Sequence, residues 1–165
     1  MGSGKSTLGK KLATLLSLEF VDLDVYIEQQ EKKSVPEIFA SLGEAQFRQL
    51  ESTALHTLSK SSSKKIIALG GGSLLVEHNR LLVSTSGHLV YLQLPAAALF
   101  KRLQENSGDR PLLKNLNDTE LKEKITALLL QREPNYSSAD VIVNAISLDA
   151  QKLRAAIIQK LPHAL

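Results

Sequence analysis

The chain contains no cysteine and no tryptophan, one methionine, and only four phenylalanines and three tyrosines in 165 residues. Each shortage removes a class of function. Without cysteine there is no disulfide framework, no thiolate zinc site and no cysteine nucleophile, which suits a cytoplasmic protein in a reducing compartment. Few aromatics and a net charge of only +3 argue against a nucleic-acid partner, which calls for a basic stripe with exposed rings. No apolar run approaches the ~20 residues that span a bilayer, and no secretory signal is expected ahead of the first motif. His56, His78, His88 and His163 lack any metal-like spacing, so no histidine metal site is expected. What remains is 43% apolar and 22% charged, an ordinary balance for one globular domain. The mild basic excess suits an anionic small substrate.

What the sequence does have begins at once, with Met1-Gly2-Ser3-Gly4-Lys5-Ser6-Thr7. Gly4, Lys5 and Ser6 meet the end of the pattern G-x-x-x-x-G-K-[ST], whose first glycine would fall two residues ahead of Met1. Glycines let backbone N–H groups close around phosphate oxygens, and a helix starting near Lys5 aims its positive end at the same place. In such a loop Lys5 reaches the β- and γ-phosphates, and the Ser6 hydroxyl is a Mg²⁺ ligand. The plainer alternative is a small-residue tail with a helix cap at Ser3 or Ser6.

Short apolar runs alternate with longer helical stretches, the pattern of a layered α/β domain. Helices are expected over Thr7–Leu16, with Leu8, Leu12, Leu15 and Leu16 on one face, and over Val25–Lys32. Ser34, Pro36 and Glu37 begin another that stops at Gly43, before a helix over Glu44–Lys60. Further helices cover Ala96–Gln104, Thr119–Arg132 (broken at Pro134) and Leu148–Leu161. Strands are expected at Leu18–Leu23, Ile66–Leu69, His88–Leu94 and Ala139–Val143. That makes four strands, and a phosphate-binding loop calls for a fifth in front of it. Glu105–Asn117 reads as an irregular stretch.

Several groups could carry chemistry. Asp22 and Asp24 stand two apart at the carboxyl end of a strand, where α/β sheets bind ligands; alternation would put both on one face. One could hold a Mg²⁺ water and the other accept a substrate proton, although Asp24 could equally cap the next helix. Gly70-Gly71-Gly72 follows a buried strand and permits close backbone approach to a ligand, or makes a plain tight turn. Arg48 reads as a surface arginine paired with Glu44 or Glu51. Arg110 lies in the irregular stretch, a candidate lid. Arg132 ends a helix, where it could clamp an anion or complement the helix dipole.

Taken in order, MGSGKSTLGKKLA, FVDLDVYIE, SVPEIFASLGEAQFRQLE, IALGGGS, VYL, RPLL and QREPNYSSAD resemble the shikimate kinase family of phosphate-loop enzymes, from Met1 to about Val143. The resemblance implies a three-layer α/β fold, its parallel sheet in the order 2-3-1-4-5 with helices on both faces. The first, central strand would lie ahead of Met1, so the chain is expected to be N-terminally truncated. It implies a single domain over 1–165, a substrate-binding subdomain over 33–60 and a lid over 105–117. ATP and shikimate would be the partners of a monomer, with Mg²⁺ as cofactor. Gly2, Ser3, Gly4, Lys5, Ser6, Thr7 and Arg110 would hold the ATP phosphates, with Ser6 and Asp22 serving the metal and Arg102 stacking on adenine. Asp24, Arg48, Arg132 and the backbone at Gly70, Gly71 and Gly72 would bind shikimate, with Asp24 as base for the 3-hydroxyl. Lys5, Asp24 and Arg110 would form the catalytic set. The alternatives are another small-molecule kinase of this group, such as gluconate kinase, or a non-catalytic nucleotide- or shikimate-binding homologue.

Overall fold

The structure, a computed structural model, describes residues 2–105, 113 and 116–163. The chain alternates helices and short parallel strands. Helix α1 (Lys5–Leu16) starts after Gly4, whose φ of 86° is a left-handed conformation suited to glycine. Strand β1 (Glu19–Asp22) leads directly into α2 (Leu23–Glu31). The Asp22 carboxylate caps α2 by accepting the Asp24 N–H at 3.1 Å. Asp22, not Asp24, is therefore the capping residue.

Helix α3 (Val35–Ser59) begins where Glu37 accepts both the backbone N–H and the hydroxyl of Ser34. It breaks direction at Gly43, where φ is 78° and ψ 172°. The stop expected at Gly43 is thus a kink between two helical arms. Strand β2 (Lys65–Ala68) follows, then a 3₁₀ turn (Ser73–Leu75) and α4 (Glu77–Ser86). Strand β3 (Val90–Gln93), α5 (Ala96–Glu105), α6 (Asp118–Tyr136), β4 (Val141–Asn144) and α7 (Ala150–Lys160) complete the order. Helix α6 is not broken at Pro134. It runs on to Tyr136, with Pro134 inside its last turn.

The strands form two parallel pairs, β1 with β2 and β3 with β4. Val21 lies opposite Ile67, and Leu92 opposite Val143. Buried apolar side chains gather in three clusters. Leu23, Ile27, Ile38 and Phe47 join α2 to α3. Leu94, Leu99, Leu103 and Ile125 join α5 to α6. Leu8, Leu12, Leu153 and Ile157 join α1 to α7. Leu15, expected to face inward on α1, is 38% exposed. Between the two strand pairs lies a cavity of about 600 Å³, lined by Ile66 and Ile67 of β2, Val90 and Leu92 of β3, and Leu12 beneath them. Ile66, Ile67, Val90 and Leu92 are only half-buried as a result. Among the described residues, no helix is long and apolar enough to cross a membrane.

Candidate active site

The amino end of α1 is the first component. Gly2 and Gly4 both have positive φ, 64° and 86°, and no side chain caps the leading N–H groups of the helix. These groups can point at an anion. Arg102 of α5 donates to the Ser3 carbonyl at 2.9 Å and to the Ala145 carbonyl at 3.3 Å, bracing the loop from outside. The Ser6 hydroxyl donates to the Asp22 carboxylate, so two oxygen donors from α1 and the end of β1 meet beside the loop. Thr7 is exposed on the first turn of α1.

Asp24 is the second component. It sits in the first turn of α2, past the strand end, so alternation along a strand does not explain its direction. Burial pushes its carboxyl above the ordinary carboxylate range, and the Lys5 ammonium nearby pulls it partly back. The carboxylate lies against the glycine loop: a Cβ on Gly70 would stand 3.2 Å from Asp24 Oδ1 and 2.8 Å from Ser73 Oγ, and would collide with Glu51.

The same loop meets the arginines. Arg48 pairs with Glu44 at 2.7 Å and with Glu51 at 2.5 Å, as a helical arginine at this spacing should. It is not a surface residue, however, since its side chain is 14% exposed. Any side chain at Gly72 would overlap its guanidinium. Arg132 of α6 is 5% exposed, and its Nε has no hydrogen-bond partner among the described residues. A buried guanidinium N–H without a partner is costly in a purely structural residue. Arg132 stands one turn before Tyr136 on α6, and the Tyr136 hydroxyl donates to the Gly71 carbonyl at 2.5 Å. Asp24, Arg48, Arg132 and the loop from Gly70 to Gly72 are therefore brought together. Arg110, and most of the stretch expected to form a lid, lie outside the described residues.

Three residues of this region were not singled out from the sequence, and Glu51 was named only as an ion-pair partner of Arg48. Glu51 is fully buried, accepts the Ser73 hydroxyl at 2.5 Å, and holds Arg48 from the other side. Its spacing in F-R-x-x-E offered a signal. Asn79, also fully buried, donates to the Ser73 carbonyl at 2.9 Å and fixes the turn after the glycines. Ser73 and Asn79 are isolated polar residues with nothing in their spacing to distinguish them. Tyr136 stood within R-x-P-x-Y without a role.

A family model described as shikimate kinase matches residues 1–162. A shikimate kinase from Chlorobium chlorochromatii is 44% identical over 161 residues, covering 94% of this chain and 82% of the relative. One from Bacteroides thetaiotaomicron is 37% identical, covering 100% and 94%. The crystal structure of a shikimate kinase from Bacteroides thetaiotaomicron superposes with a TM-score of 0.86 at 36% identity, covering 96% of this chain and 90% of that one. A shikimate kinase from Acinetobacter baumannii, in complex with shikimate, gives 0.83 at 34% identity, covering 96% and 87%. With a match of this extent, the chain belongs to the shikimate kinase family.

Proposed function

We propose that this chain transfers the γ-phosphoryl group of ATP to the 3-hydroxyl of shikimate. The observation that carries the reading is Arg132, buried with an unpartnered Nε and joined through Tyr136 to the loop against which Arg48 packs. Two buried guanidinium groups beside one glycine loop, together with a helix amino end suited to phosphate, fit a substrate that carries a carboxylate and a hydroxyl. Gly2, Ser3, Gly4 and Thr7 line the phosphate end. Lys5 lies between that end and Asp24, and neutralises the phosphoryl group in transit. Asp24 accepts the hydroxyl proton as the new oxygen–phosphorus bond forms and the bond to the bridging β-γ oxygen breaks, releasing ADP. Arg102 stacks on adenine, and Arg110 closes from a lid over 105–117. Residues 33–60, the kinked α3, form the substrate-binding side.

Mg²⁺ suits the Ser6–Asp22 pair, because that ion prefers oxygen donors and keeps several waters. No cluster of three or more His, Asp or Glu residues converges among the described residues, so protein ligation by this pair alone is what the donor set offers. Bound there, Mg²⁺ supplies charge neutralisation on the β- and γ-oxygens.

The finer fold belongs to the same reading. The cavity between β2 and β3 is lined by apolar side chains, and each of these strands has only one hydrogen-bonded neighbour among the described residues. A fifth strand, parallel to both, would give the order 2-3-1-4-5 with helices on both faces. Such a strand would enter the phosphate loop at the sheet centre.

Three substitutions test the chemistry. Arg48→Ala, and separately Arg132→Ala, should weaken shikimate binding by about 2–5 kcal/mol, the usual consequence of removing one partner of a buried charged pair. ATP affinity without shikimate should hardly change. Calorimetry showing parent affinity for shikimate in both variants would exclude the clamp. Asp24→Asn should lower kcat by about 100-fold or more. Because burial raises the Asp24 pKa, its ionisation costs stability. That cost grows as pH rises from the unfolded value toward the raised folded one, and is fully present above both. The asparagine variant should therefore melt at or above the parent temperature at neutral pH while losing turnover. Near-parent turnover would move the proton acceptor elsewhere.

A further inference from the structure

The glycine loop at 70–72 has no side chains with which to hold itself in place. Within the loop region, Ser73 N–H bonds to the Gly70 carbonyl at 3.3 Å and Leu75 N–H to the Gly72 carbonyl at 3.0 Å. The Gly71 carbonyl is held from another part of the chain, by the Tyr136 hydroxyl at 2.5 Å. Arg132 stands one turn earlier on α6, and its positive charge acts on that hydroxyl. The Tyr136 ring rests on Tyr91 of β3, with centroids 4.9 Å apart and a tilt of 40°. Tyr91 is fixed in turn by donating to Glu133 at 2.9 Å, and Gln93 holds the other Glu133 oxygen at 3.2 Å. One hydroxyl thus ties the turn of α6 that carries Arg132 to the backbone of the loop, and its ring is supported by Tyr91.

We propose that Tyr136 is a positioning residue for substrate binding: its hydroxyl sets the separation between Arg132 and the Gly70–Gly72 loop, and so keeps the two arginines in register before substrate arrives. The inference rests on the carboxylate-clamp reading above. Its physical basis is the position of Arg48, which packs against Gly72. A shift of the loop moves Arg48 relative to Arg132, and a bidentate clamp tolerates little such movement. The opposite side of the loop is already fixed, since Ser73 is locked by Glu51 and Asn79. Tyr136 supplies the remaining constraint.

The test is Tyr136→Phe, which removes the hydroxyl and keeps the ring on Tyr91. The KM for shikimate should rise about tenfold, in line with a lost hydrogen bond that leaves a carbonyl unpartnered. The kcat and the KM for ATP should stay within about twofold of the parent. In the ligand-free protein, the Gly72 and Ser73 amides should exchange with deuterium about tenfold faster. Exchange at the parent rate would show that the hydroxyl does not brace the loop, and would overturn the proposal. Faster exchange with an unchanged shikimate KM would overturn it too, by separating loop order from binding. A fall in kcat, shikimate affinity and ATP affinity together would reveal a merely structural role. Arg132→Ala, measured alongside, separates the two levels: if that variant loses shikimate affinity while Tyr136→Phe does not, the clamp stands and the brace fails. If Arg132→Ala has no effect, the clamp reading itself fails.

Discussion

Replacing Lys5 with alanine should reduce kcat by about a thousandfold or more, while shikimate affinity stays within a few-fold of the parent. The size follows from the role. Phosphoryl transfer gives a protein little covalent chemistry to perform, so catalysis rests on positioning and on charge placed where charge develops. Removing one such group from a desolvated site costs about 10²–10³ in rate, and a full cation aimed at the transferred group stands at or beyond the upper end. The selectivity follows from geometry. Lys5 begins α1 and acts on Asp24 from the phosphate side, whereas the arginines approach from α3 and α6. An equal loss of shikimate affinity, measured by calorimetry, would place Lys5 in the carboxylate pocket and contradict this division.

Adding a strand should have the largest effect on stability. Extending the amino end by an apolar segment of about five residues, with glycine two residues before Met1, should raise the melting temperature by more than about 10 °C and tighten ATP binding. Four or five apolar side chains filling the space between β2 and β3 contribute ~1.5–3 kcal/mol each, or ~6–15 kcal/mol, comparable with a domain's net stability. For a domain of this size each kcal/mol moves the midpoint by about 2–4 °C. The added strand would also fix the direction from which the phosphate loop leaves the sheet. Among the described residues β2 and β3 each have one hydrogen-bonded neighbour, and an unpaired strand edge can pair with other chains, so the extended form should also aggregate less readily. A 165-residue chain that is monomeric and fully active, with a melting temperature unchanged by the extension, would contradict this reading of the cavity.

Much of this was legible in the residues, for identifiable reasons. The loop from Gly2 to Ser6 could be read because backbone geometry and charge demand those residue types at that spacing. The kink at Gly43 could be read because few other residues adopt a φ near 78°. Arg48 shows the limit. Its i,i+3 and i,i+4 partners were visible in the sequence, but the same pairs suit an exposed helix face. Only the fold reveals that Gly72 leaves room for its guanidinium. The direction of Asp24 was misread as strand alternation, because nothing local marks the change from β1 to α2 at Asp22. The course of α6 through Pro134 depends on where the helix ends, which tertiary contacts decide. Ser73 and Tyr136 act through partners far away in sequence; Tyr136 and Gly71 are 65 residues apart, a separation that no local pattern records.

The central claim is best tested by ADP release from ATP and Mg²⁺, measured with shikimate, with gluconate and with neither. The assay should be run on the 165-residue chain and on the form carrying the added strand. ADP release should require shikimate, should not occur with gluconate, and should yield one equivalent of a product phosphorylated at the 3-hydroxyl. ADP release that is indifferent to shikimate, or supported by gluconate instead, would contradict that claim, as would the absence of turnover in both forms.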